Sequence, residues 1–133
     1  MKTHRAAHEA PAPAGEEHFS GPVWMSTIFT ADGPGEMNSH RVTFGPGART
    51  HWHSHPDGQA LIVTDGRGRT QVEDGAVSSF AAGDAIYLPS GVRHWHGADP
   101  DSSMTHVSVT GEGGTLWDGP PVADAEYHET RRE

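Results

Sequence analysis

Between Phe19 and Trp117 the chain is cut repeatedly by turn residues: Asp32-Gly33-Pro34-Gly35, Gly45-Pro46-Gly47, Asp65-Gly66, Asp74-Gly75 and Pro89-Ser90-Gly91. Gly and Pro interrupt helices and populate tight turns, so the apolar runs between them have room only for short strands. The alternation predicts strands over Val23–Phe29, 40–44, 50–55, 60–64, 69–73, 77–80, Ala85–Leu88, 92–97 and 104–110, with a weak last one over 115–117. Asp65-Gly66 reads as a hairpin turn. Only residues 122–130 read as a short helix. About nine or ten short strands with regular turns argue an all-β barrel or sandwich and exclude the βαβ alternation of a nucleotide-binding fold. A length of 133 residues makes one domain, expected over 19–133. Residues 1–18 are polar, Ala/Pro-rich and without period, and read as a flexible N-terminal arm.

The charge balance narrows the partners. Eighteen acidic residues against nine basic ones give a net charge of −9. No cationic surplus exists to neutralise phosphates, so nucleic acid and anionic membranes are not expected partners. The chain has no Cys, which removes disulfides, thiolate metal sites and Cys nucleophiles together. No apolar run is long enough to span a bilayer, and residues 1–18 lack the apolar stretch of a signal peptide, so a cytoplasmic location is the default expectation.

The unusual count is eleven His. His40, His51, His53, His55, His94, His96 and His106 all fall within the strand-rich part of the chain. Side chains on a strand alternate between faces, so His53 and His55 share one face, and so do His94 and His96. His106 shares a face with Met104, Ser108 and Thr110, and His40 with Val42 and Phe44. If these faces turn into one barrel, six imidazoles converge. Each buried polar group left unpartnered costs about 1–3 kcal/mol, a penalty that a bound cation offsets by accepting the ring lone pairs. His51 precedes a turn, and its direction is open; it is a further pocket candidate.

The spacing of these residues is specific. Gly47 is followed by His53 and His55, then by Gln59 and Gly66; Gly83 is followed by Pro89, Gly91 and His94. This arrangement resembles the two cupin motifs, G-x5-H-x-H-x3,4-E-x6-G and G-x5-P-x-G-x2-H-x3-N. Gln59 stands at the Glu position and Ala98 at the final Asn position. The resemblance implies a cupin double-stranded jelly-roll barrel. It also implies one divalent transition metal held by His53, His55, Gln59 and His94. Imidazole and amide donors suit Mn²⁺, Fe²⁺, Ni²⁺ or Zn²⁺ over Ca²⁺ and Mg²⁺. Gln in place of Glu leaves the full charge of the cation in the site, which favours Lewis-acid chemistry on an anionic intermediate.

Residues 42–50, Trp52-His53, Gly58-Gln59, 61–64, 94–98 and Met104-Thr105-His106 are similar to the small bacterial cupins that include the manganese-dependent hydroxynitrile lyases. That resemblance implies Mn²⁺ first among the metals. It implies a lyase that cleaves a cyanohydrin to an aldehyde and HCN, with His106 and His96 as acid/base groups and His40 assisting. A side-chain amide often stands in that branch where this chain has Thr110, and His40 and His51 replace small residues. Cyanohydrin cleavage needs a base and an electrophile but no redox step, and a neutral imidazole is a suitable base. A plainer role for His96 and His106 is to orient the metal ligands. The same kit serves a cupin dioxygenase or a metal-dependent polyketide cyclase or isomerase, and a non-catalytic binder is a further alternative. The second face of the strands, with Ala60, Ile62, Val107 and Val109, is also apolar, so a homodimer or higher homo-oligomer is expected.

Overall fold

The computed structural model describes residues 1–129. Its strands are β1 (Ala12–Pro13), β2 (Phe19–Ser20), β3 (Val23–Phe29), β4 (Met37–Phe44), β5 (Arg49–Thr50), β6 (Gln59–Val72), β7 (Ser78–Ala81), β8 (Ala85–Leu88), β9 (His94–Ala98) and β10 (Met104–Gly111), followed by one helix, α1 (Asp124–His128). The strands pair in the order β1-β3-β4-β10-β6-β9-β5-β2, with β7 and β8 also paired to β6. The sheet curls, so that β4, β10 and the first half of β6 face β9 and β5 across an interior. The chain is nearly all β, as the turn punctuation requires.

β6 is the spine of this arrangement. Its first half pairs with β10 and β8, and its second half with β9 and β7. The sequence reads Asp65-Gly66 as a hairpin turn, but the chain continues there as a single bent strand. Gly66 sits at φ 73°, and a Cβ at that position would lie 1.8 Å from the Ser103 carbonyl oxygen. Only Gly permits both the left-handed conformation and the close approach. Gly97 meets a similar demand on β9, where a Cβ would lie 2.4 Å from the Ala48 carbonyl oxygen.

Two apolar clusters hold the barrel. Phe19, Val23, Val42, Phe44, Val63, Phe80 and Met104 fill the interior beneath the site. Trp52, Val77, Trp95, Val122 and Tyr127 form the second cluster, on the outer side of β9. The helix expected over 122–130 is the five-residue α1, and residue 130 lies outside the described residues. Tyr127 anchors this segment: its hydroxyl donates to the Ala98 carbonyl, and the Arg49 guanidinium stacks over its ring at 4.2 Å. Arg49 also donates to the Val122 carbonyl at 2.8 Å and to Asp124 at 2.7 Å.

The segment expected as a free arm is docked in this structure. Ala12–Pro13 pairs with Trp24 and Met25 of β3. Glu9 accepts hydrogen bonds from Ser26 at 2.6 Å and Arg41 at 2.9 Å. The Ser26 bond, with His4 and Arg41 in support, holds the Glu9 carboxyl down at about 2. A polar, aperiodic sequence hides such docking because one carboxylate and two strand residues carry it.

Candidate metal centre

The imidazoles arrive from three places. His53 and His55 lie on the segment between β5 and β6, which is not a strand; its backbone is held by a bridge from His53 to His94 and another from Ser54 to Leu116. His94 and His96 point inward from β9, and His106 from β10. All five are buried. Ring centroids are 4.3 Å apart for His53 and His94, 4.9 Å for His53 and His55, 5.4 Å for His55 and His94, and 4.9 Å for His96 and His106.

Backbone carbonyls set the tautomers. A carbonyl only accepts, so the ring nitrogen beside it carries the proton. His53 Nδ1 donates to the His51 carbonyl at 2.8 Å, His55 Nδ1 to the Gly114 carbonyl at 3.1 Å, and His94 Nδ1 to the Val92 carbonyl at 3.0 Å. In each neutral ring, Nε2 is left with its lone pair. His55 Nε2 is buried without a hydrogen-bond partner. His94 Nε2 faces the Gln59 amide oxygen at 3.3 Å. Two acceptors face each other there, a contact satisfied by a cation between them or by the amide turned over.

Burial keeps these rings neutral. It lowers His53 well below the ordinary His value, with the neighbouring His94 adding to the effect. His94 is brought to about 4, mainly by burial and against the pull of the Val92 carbonyl. His55 is lowered by burial as well. Three neutral imidazoles with Nε2 lone pairs, that of His55 without a hydrogen-bond partner, and a side-chain amide form a donor set that fits a divalent transition cation.

The four residues expected as ligands are neighbours here, and His96 stands beside them. Ring nitrogens of His53, His94 and His96, one from each, lie within 4.8 Å of one another. His96 Nδ1 is 3.2 Å from His106 Nε2, so one of these rings donates to the other, and His106 Nδ1 has no partner. Burial pushes His106 down to about 4 and His96 well below the usual range.

These groups border a cavity of about 240 Å³. Its apolar wall includes Phe19, Met25, Val42, Phe44 and Trp117; its polar lining includes Asn38, Thr50, Ser108 and Thr110. His40 lines the same cavity from β4, half-buried, and burial lowers its pKa. His51 does not border it; its backbone N–H donates to the His18 carbonyl at 2.8 Å, near the chain surface. Thr50, whose hydroxyl accepts the His96 N–H at 3.2 Å, and the rim residues Gly114, Thr115 and Trp117 escaped the reading from sequence. Asn38 was legible in principle, two residues before His40 on the same face. The rim residues read only as a weak last strand over 115–117, with nothing in that pattern to aim it at the site.

Residues 40–110 match the cupin domain family. This chain is a cupin. It is 42% identical to the (R)-mandelonitrile lyase of Granulicella tundricola over 109 residues, covering 82% of this chain and 83% of that protein. Among solved structures, a cupin-like protein from Thermotoga maritima superposes with a TM-score of 0.82 at 38% identity, covering 87% of this chain and 90% of the other. A polyketide cyclase from Streptomyces resistomycificus superposes with a TM-score of 0.74 at 16% identity over 96% of this chain and 90% of that chain, a likeness of fold alone. Among the described residues no helix is long and apolar enough to cross a membrane.

Proposed function

We propose that this cupin is a metal-dependent lyase that makes or breaks a carbon–carbon bond next to a hydroxyl or carbonyl group, in the manner of a hydroxynitrile lyase. The observation that carries the reading is the cluster of buried imidazoles with tautomers fixed by backbone carbonyls, beside a cavity with one apolar wall. The kinship with a mandelonitrile lyase supports it. His53, His55, Gln59 and His94 would hold the metal, with Mn²⁺ preferred over Fe²⁺, Ni²⁺ and Zn²⁺; when bound, it supplies Lewis acidity toward the substrate oxygen.

The chain's own residues then have defined tasks. Phe19, Met25, Phe44 and Trp117 receive the apolar substituent of a small substrate. The cyanohydrin hydroxyl loses its proton to the neutral His96–His106 pair as the C–CN bond breaks. The electron pair leaves with cyanide, which takes up the proton as HCN. Neutrality of both rings at pH 7 gives them the accepting form a base requires. His40, on β4 beside the β10 strand that carries His106, serves as a second relay.

The direct test is metal-replete protein with racemic mandelonitrile, following benzaldehyde and HCN. Release of both, with a drop of about 10²-fold or more in His106→Ala, is expected for the loss of a general base. Oxygen uptake with a diketone or flavonol and no cyanide release would replace this reading with a dioxygenase. Self-association belongs to the same proposal. The outward positions Ala60, Ile62, Ala85, Tyr87, Val107 and Val109 carry no charge, and Ile62 and Tyr87 are exposed. A second copy of the chain would cover that face, and a monomer by sedimentation would refute it.

A further inference from the structure

We propose that the rim segment of residues 114–117, which follows the last barrel strand, completes the metal centre, with Trp117 acting as a positioning residue. This inference rests on the metal reading above. His53 and His55 sit on a segment without a strand ladder, so something else must hold their rings. The rim does so at three points. The Gly114 carbonyl and the Thr115 hydroxyl stand 3.1 Å and 3.2 Å from His55 Nδ1, which fixes its tautomer. Leu116 exchanges backbone hydrogen bonds of 2.8 Å and 3.2 Å with Ser54, the residue between the two ligands. Trp117 lies against the His53 ring, with centroids 4.5 Å apart and planes 34° from parallel.

The indole also has neighbours in the N-terminal segment. His18 stacks on it at 4.3 Å and 10°, and Phe19 meets it at 5.7 Å. Trp117 thus touches both the N-terminal segment and a metal ligand, and tilting away would break ring contacts to both. The rim itself is tied down: Asp57 accepts the Gly113 N–H at 2.9 Å, and Asn38 donates to the Gly111 carbonyl at 3.1 Å. The indole therefore limits rotation of His53, and the carbonyl and hydroxyl limit rotation of His55. A ligand held in place before the ion arrives binds it more tightly, and removing such outer partners typically costs about 10–100-fold in metal affinity.

The test is a Mn²⁺ titration read by the EPR signal of the free ion, which needs no turnover. Wild type, Trp117→Leu, Trp117→Phe and Thr115→Val are compared. Trp117→Leu is expected to weaken Mn²⁺ by about 10-fold or more, while Trp117→Phe, which keeps a ring on His53, stays within about 3-fold. Equal affinity for wild type and Trp117→Leu, or equal weakening by Leu and Phe, overturns the proposal. Should Trp117→Leu fail to fold by circular dichroism, Thr115→Val decides: weakening beyond about 3-fold supports the proposal, and an unchanged affinity overturns it. A wild type that takes up none of Mn²⁺, Fe²⁺, Ni²⁺ or Zn²⁺ sinks the metal reading itself, a separate failure.

Discussion

The two histidine pairs of this site come from differently built regions. His94 and His96 stand on β9, which pairs along its whole length with β6, from Gly68↔Ala98 to Val72↔His94. Both faces of β9 are buried: the imidazoles face inward, and Trp95 faces the outer cluster, 5.8 Å from the Tyr127 ring. His53 and His55 have no such ladder and are held by two isolated bridges and by side-chain tethers to carbonyls. A fully paired strand places its ligands as a by-product of folding. An irregular segment must have them fixed one contact at a time. Damage to the first region should therefore cost stability, and damage to the second should cost metal binding with the fold retained.

The largest expected effect tests that contrast directly. Trp95 is fully buried, and its indole N–H donates to Gln71 at 2.9 Å. Trp95→Ala should destabilise the protein by about 3–5 kcal/mol, the usual cost of emptying a large aromatic site. His55→Ala should leave the metal-free stability near wild type, since the ring it removes has an orphaned nitrogen. It should abolish the stabilisation by Mn²⁺, which for wild type amounts to about 2.7 kcal/mol at a concentration a hundred times Kd. Denaturant melts with and without Mn²⁺ measure both. Equal loss of metal-free stability in the two variants would erase the distinction.

Next in size is the response to acid. His94 has a folded-state pKa of about 4 against an ordinary 6.5. The unfolded chain therefore binds its proton first, and stability present above pH 6.5 is lost as the pH falls toward 4. The loss from this one ring is about 3 kcal/mol. His106, also brought to about 4, adds to it in the same window. In metal-free protein, His94→Gln should flatten the fall between pH 7 and 4 by about one proton. An unchanged slope would mean that the β9 imidazole is not kept neutral by burial.

How far the sequence carried depended on the same division. The bounds of β3 and β8 match the expected ones, because turn residues close each run; burial alternates along β8 but not along β3. The inward convergence of His94, His96 and His106 follows from the alternation of strand side chains. His53 and His55 also face inward, yet the strand expected over 50–55 shrinks to Arg49–Thr50, and bridges do the rest. Local pattern does not reveal why they hold. The carbonyl that orients His55 lies 59 residues downstream, in a stretch of Gly and Thr with no alternation. The bend at Gly66 misled for a related reason. A left-handed Gly after Asp reads as a reversal, and only the close approach of Ser103 turns it into a bend.

The smallest effects sharpen the comparison, because they remove a single hydrogen bond from each region. On the strand side, the buried Thr70 hydroxyl donates to the Trp95 carbonyl at 2.9 Å. Thr70→Val keeps the shape and removes the donor, and should cost about 1 kcal/mol in denaturant melts. On the segment side, Asp57→Ala frees the Gly113 N–H, which is exposed and can turn to water. Its stability cost should fall at or below the low end of the usual range, about 0.5 kcal/mol. Its effect should appear instead in the rim, as faster amide exchange at Gly113 and Gly114 with the β9 amides unchanged. If both variants lost the same stability and neither changed rim exchange, the two halves of the site would be one cooperative unit, and the ladder would be holding His53 and His55 as firmly as it holds His94.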